Sequence, residues 1–252
     1  MTDPVSPSVL PFADSRAVEL PRTGGKGSSL ARNAQLGFPI PPGFVGTTLA
    51  WRAFAAGVPA PAAISDDPAE SEREAAAMRD ALAAAPFPAA LEAEIDAALA
   101  AFPADAAFAV RSSGTMEDLA GAAFAGQHDT YLGVVGRAAV LEKIKSCWTS
   151  LWSGRAAAYR QARGVDHRDA AMAVVVQLMV PAQSAGVAFT LDPVAGEMNC
   201  VVVESAFGLG ETVVSGESET DWFKLDRASL AVRERRIGAK REAIWLKAGR
   251  AA

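Results

Sequence analysis

A chain of 252 residues with 50% apolar content and only two cysteines is long enough to bury one large core or two modest ones, which excludes a disulfide-stapled miniprotein. Its formal charge of −5 argues against a general nucleic-acid binder, which needs clustered cations to displace counterions, although a few local cations suffice for a small anion. Alanine alone supplies 55 residues, so bulky apolar side chains are sparse and the core is expected to be thin in places.

Cys147 and Cys200 each sit inside an apolar run, where a small buried thiol is the usual occupant and no metal cage is possible from two ligands. The N-terminal stretch MTDPVSPSVLPFADSR lacks a cationic start followed by an apolar segment, so it does not read as a secretory signal. The most apolar segment, Ala170 to Val180, is interrupted by Gln177 and is far shorter than the roughly 20 residues a membrane helix needs. These features lead us to expect a soluble, cytoplasmic chain with no membrane or nucleic-acid partner.

In chain order, Gly24-Gly25-Lys26-Gly27-Ser28-Ser29 opens a short helix, Leu30 to Leu36, that Gly37 ends. Four prolines and glycines between Pro39 and Gly43 force a turn before Phe44-Val45. Trp51 to Ala100 reads as alanine-rich helical scaffold. Phe108 to Val110 is expected to be a short strand handing the chain to Arg111-Ser112-Ser113-Gly114, with a polar loop to Gln127 and a second strand from Thr130 to Val134. Val140, Ile144, Cys147, Trp148, Leu151 and Trp152 recur at spacings of three and four, predicting one amphipathic helix over 137–163 with both tryptophans against a sheet. Beyond Gly164 the pattern is β: 172–179, 186–191, 199–204, 221–225 and 230–236. The predicted class is α+β, in two lobes, 1–181 and 182–252.

Several segments carry groups suited to an anion. The glycine-rich loop combines bare amides, a helix N-terminus and the Lys26 ammonium, which suits phosphate. It is not a Walker A loop, because position 21 is proline and Lys26 is followed by glycine; its alternative is a flexible turn. Arg111 brings a planar five-donor cation beside Ser112 and Ser113, again suited to phosphate oxygens, or else an arginine paired with Glu117 or Asp118. Gln177 is a lone amide in an apolar strand and must find partners; on the residues alone a structural role is favoured over a ligand contact. Gly208-Leu209-Gly210-Glu211 permits close backbone approach or is a plain strand exit. His128 and His167 lie near no nucleophile pattern and are expected in exposed loops.

Taken together, the segments GGKGSSLARNAQLGFPIPPGFVGTT, FAVRSSGTMEDLAGAAFAGQHDTYLGV, CWTSLWSGRAAAYR, VVVQLMV, SAGVAFTLDP and ESAFGLGETVVSG occur in an order that resembles the N-terminal ATP-binding part of phosphoenolpyruvate synthase and its relatives, including rifampin phosphotransferase. The likeness covers about residues 10 to 240. The VRSS and AAFAGQ wording is closer to those two than to pyruvate phosphate dikinase, whose corresponding loop is methionine-rich.

The resemblance implies an ATP-grasp fold with the nucleotide held between two lobes. Carried over by motif, Lys26 and Arg111 bind ATP phosphates, Gly126 and Thr130 belong to the loop over them, and Gln177 contacts the nucleotide, against the structural preference above. It also implies Mg2+ and a partner: in the family the phosphate passes to a histidine on a separate domain, then to pyruvate or another acceptor. His128, within AGQHDT, is not read as that phosphocarrier. The chain stops at Ala252 before the family's late metal-binding segment, so the expectation is a C-terminally incomplete ATP-grasp domain, not active alone, with Glu204 and Glu211 as substitute metal ligands and no catalytic residue assigned. A nucleotide-binding or partner-binding module without catalysis is the alternative.

Overall fold

The computed structural model describes residues 7–115, 130–216, 219–247 and 250–251. The chain falls into two compact units, Met1–Met179 and Val180–Ala252, and mixes helices with antiparallel sheets throughout.

The first unit is built on a five-stranded sheet. Its strands are β1 (Val9–Pro11), β2 (Gly43–Gly46), β3 (Ala107–Gly114), β4 (Thr130–Val135) and β5 (Met172–Leu178), in the order β1-β2-β5-β3-β4, every neighbouring pair antiparallel. The last strand in sequence lies in the middle, and Met172 to Gln177 are all buried, as a strand covered on both faces demands. Side-chain alternation divides it. Met172, Val174 and Val176 join a large core with Phe44, Phe108, Val110 and Trp148, whereas Ala173 and Val175 join a small one with Leu10, Val45, Ala17 and Ala31.

Helix α1 (Leu20–Gln35) covers the small core, and the large one lies under α2 (Thr48–Ala55), α3 (Pro68–Ala84), α4 (Ala89–Leu99), α5 (Arg137–Thr149) and α6 (Gly154–Ala162). Two of the starts have a visible local cause. Asp67 caps α3 through the amides of Ala69 and Glu70, with Pro68 in the first turn, where its missing N–H costs nothing. The single helix expected over 137–163 is broken, because Ser153 leaves helical geometry at ψ 142° and caps α6 by accepting from the Ala156 amide. Trp148 meets the sheet as expected, its indole donating to the Met172 carbonyl at 3.2 Å and stacking on Phe54 at 4.9 Å. Trp152 instead packs on His167. His167, expected in an exposed loop, is buried, because the 3-10 turn His167–Asp169 tucks the ring under that indole.

The second unit is a meander of β6 (Ser184–Phe189), β7 (Cys200–Phe207), β8 (Asp221–Asp226) and β9 (Val232–Arg236), with α7 (Glu211–Ser215) between β7 and β8. Cys200, Val202 and Ala206 alternate into its thin core. Lys224 supports it by pairing with Asp192 at 3.2 Å and Glu197 at 2.5 Å. Both cysteines are free and buried. Among the described residues no helix is long and apolar enough to cross a membrane.

Candidate functional site

The glycine-rich segment is not a loop before a helix; it lies inside α1. The helix starts at Leu20 with Pro21 in its first turn and kinks at Gly24, whose φ of 67° and ψ of 176° are non-helical. The kink has a visible cause. In a straight helix the Gly27 amide would donate to the Thr23 carbonyl four residues back. Here the Ser113 hydroxyl is inserted between them, accepting from Gly27 N–H at 3.0 Å and donating to the Thr23 carbonyl at 2.7 Å. Beyond the kink, Gly25–Gln35 forms a second helical run with its own positive N-terminal end, and Lys26 sits one residue into it, half-buried.

Strand β3 runs through Arg111 to Gly114, so Arg111 sits within a strand and not at its exit. Alternation then separates the two serines expected to assist it. Ser113 shares a face with Arg111 but spends its hydroxyl on the α1 kink, whereas Ser112 faces the opposite side and is buried. Period-two alternation was the available signal, and extending the strand by three residues would have revealed it.

Arg111 pairs in register with Thr130 on one side and Val175 on the other, which puts Arg111 and the exposed Thr130 side by side. The Arg111 Nη2 donates to Gln177 Oε1 at 2.5 Å, and its buried Nε has no hydrogen-bond partner. Burial pulls its pKa below the ordinary arginine value, yet a guanidinium stays charged at neutral pH. Gln177 is 7% exposed and is engaged at both ends, since its Nε2 donates to the Pro41 carbonyl at 3.0 Å. Gly43 makes this close strand approach possible: a Cβ there would lie 2.5 Å from the Val176 carbonyl oxygen.

Four of the five expected site residues, Lys26, Arg111, Thr130 and Gln177, therefore belong to α1, β3, β4 and β5 of one unit. Gly126 lies outside the described residues, as do His128, Glu117 and Asp118. Two cations, a hydroxyl and a helix N-terminus suit a ligand carrying several anionic oxygens.

In the second unit, the glycine allowance at Gly208 serves the chain itself. Gly208 has φ 75°, a Cβ on it would lie 2.2 Å from the Ile244 carbonyl oxygen, and the Leu209 amide donates to that oxygen at 2.7 Å. Glu204 is half-buried on β7 opposite Val187 and Trp222, and Glu211 opens α7 in an exposed position. Among the described residues no group of three or more His, Cys, Asp or Glu side chains is arranged to hold a metal ion.

Residues 20–252 match the pyruvate phosphate dikinase AMP/ATP-binding domain, and the chain belongs to that family. It is 40% identical over 240 residues to the phosphoenolpyruvate synthase of Aeropyrum pernix, covering 90% of this chain and 29% of that protein. It is 40% identical over 245 residues to a rifampicin phosphotransferase of a Streptomyces species, covering 94% and 28%. It is 42% identical over 232 residues to the prodigiosin synthesizing transferase PigC of Serratia marcescens, covering 92% and 25%. The chain thus spans between a quarter and a third of the length of these relatives.

Proposed function

We propose that this chain is the ATP-binding domain of a phosphoenolpyruvate synthase-like phosphotransferase with an ATP-grasp-like fold. Lys26 and Arg111 hold the phosphates, and Thr130 and Gly126 belong to the loop over them. Gln177 contacts the nucleotide or holds Arg111 for it. The ATP phosphate passes to a histidine on a separate domain or subunit, and from there to pyruvate or another acceptor. The observation that carries this reading is the Ser113 hydroxyl that ties the helical run bearing Lys26 to the strand bearing Arg111, with Thr130 beside Arg111 in register, in a chain of the ATP-binding family. Bare amides at a helix start and charge-assisted donors favour phosphate over neutral ligands.

Mg2+ is expected to arrive with the nucleotide, because a hard cation takes phosphate oxygens as ligands, and the described residues offer no carboxylate cluster to hold it. Calorimetry with ATP and GTP tests the reading. ATP is expected to bind in preference to GTP; failure of ATP to bind at millimolar concentration with Mg2+ would count against it and favour a partner-binding module.

A further inference from the structure

A second cavity of the first unit is lined by none of Lys26, Arg111, Thr130 or Gln177. Its volume is about 850 Å3, within the range of small-molecule sites. Phe12 just after β1, Phe44 of β2 and Leu178 of β5 contribute one part of the wall, and Glu94, Ala98 and Phe102, from α4 and the turn after it, contribute another. The space has a cause in the sequence. Glu94, Ala97, Ala98 and Ala101 recur at the spacing of one helical face, and three of the four end at a methyl group where a longer side chain would fill the gap.

Glu94 is the one ionisable residue of this lining, which is otherwise apolar. Its Oε2 accepts from the Ser8 amide at 2.8 Å and the Val9 amide at 3.1 Å. Two bonds to the outer edge of β1 hold the half-buried carboxylate at the cavity and keep it from swinging into solvent. Its Oε1 has no hydrogen-bond partner among the described residues, and no lysine, arginine or histidine among them pairs with it.

A fixed acceptor of formal charge −1, set among apolar walls, discriminates by charge. Apolar surroundings strengthen an ionic hydrogen bond relative to water. The rings of Phe12, Phe44 and Phe102 offer faces that also favour a cation over an anion. A neutral ligand leaves the carboxylate without a counter-charge, and an anion meets repulsion with no donor side chain in the lining to offset it.

We propose that this cavity binds a small organic amine in its cationic form, the ammonium donating to Glu94 Oε1 and an apolar or aromatic body lying against Phe12, Phe44, Phe102 and Leu178. The site goes beyond the nucleotide reading, with which it shares no side chain.

The test uses the full chain without nucleotide. 4-Phenylbutylammonium, the neutral 4-phenylbutanol and the anionic 4-phenylbutanoate are titrated while the methyl resonances of Leu178 and Ile40, both in the lining, are followed. The ammonium is expected to saturate with a Kd of roughly 0.1–1 mM, the alcohol to bind about tenfold more weakly, and the carboxylate more weakly still. Glu94→Gln keeps the shape and an acceptor for the Ser8 and Val9 amides but removes the charge. It should bring the ammonium down to the affinity of the alcohol and leave the alcohol unchanged. Ala101→Phe, placed at an exposed position of the lining, should abolish the response to all three. Equal binding of ammonium and alcohol would mean a groove for apolar groups without charge selection and would overturn the proposal. So would absence of saturation, a preference that survives Glu94→Gln, or a response that survives Ala101→Phe.

Discussion

Gly24 and Ser113 are fitted to each other: a Cβ on Gly24 would lie 2.2 Å from the Ser113 carbonyl oxygen and 2.5 Å from its hydroxyl. The positive φ of Gly24 and the insertion of the Ser113 hydroxyl into the α1 ladder are two sides of one device. It locks the start of the Lys26 helical run to the strand that carries Arg111. Gly24→Ala meets both the left-handed backbone penalty and a backbone clash, so a loss of about 2 kcal/mol or more in urea denaturation is expected.

Ser113→Ala tests the hydroxyl alone. It leaves the Thr23 carbonyl and the Gly27 amide without their shared partner, which should cost about 1–3 kcal/mol. If α1 straightened without loss, these two groups would pair directly, and urea denaturation would show stability unchanged.

Much of this fold was legible because period-two and period-three-to-four patterns survive in Met172–Leu178 and in Val140–Trp148. The α1 kink was not, since its cause is a serine 86 residues from Gly27 in sequence. The burial of His167 was also invisible, because a polar turn reads as exposed until Trp152 is brought over it. The site residues were legible only as separate segments; the pairing of Arg111 with Thr130 depends on strand register, and the double engagement of Gln177 depends on the Pro41 carbonyl.

Lys26→Ala and Arg111→Ala should each weaken ATP binding by about 1.5–3 kcal/mol, the usual worth of a charge-assisted contact. Calorimetry on variants with unchanged far-UV circular dichroism provides the measurement. Unchanged affinity in the Lys26 variant would reduce the glycine-rich segment to a packing device.

Acid sensitivity near neutral pH should trace to His167. Burial, and then the nearby Arg160 charge, hold its pKa below the ordinary 6.5. The unfolded chain therefore binds a proton as pH falls through 6.5 while the folded chain does not, and stability declines from there toward the lower folded value. Asp14 and Asp166, each lowered from 3.8 to about 2 by Arg16 and Arg168 respectively, act only at more acidic pH. Their stabilisation is present above 3.8 and lost below it. In a His128→Gln background, the urea midpoint should fall between about pH 7 and pH 5, and His167→Phe should flatten that slope. An equal slope in both proteins would show that His167 titrates normally.

The last expectation concerns coupling between Gln177 and Arg111. The amide accepts from Arg111 Nη2 at 2.5 Å and donates to the Pro41 carbonyl at 3.0 Å, so it fixes the guanidinium relative to the turn before β2. Gln177→Leu removes both bonds and leaves a buried cation and a carbonyl short of partners, which should cost about 2 kcal/mol and weaken ATP binding. With Arg111→Ala already present, the same change has one less group to strand, so the two effects should fall short of additivity by about 0.5–3 kcal/mol. Gln177→Glu separates orientation from charge: it retains an acceptor for Arg111 but sets a carboxylate against the guanidinium and near the expected phosphates. ATP affinity should then fall further than in Gln177→Leu. A strictly additive cycle, measured in parallel by urea denaturation and calorimetry, would mean that the amide does not position Arg111.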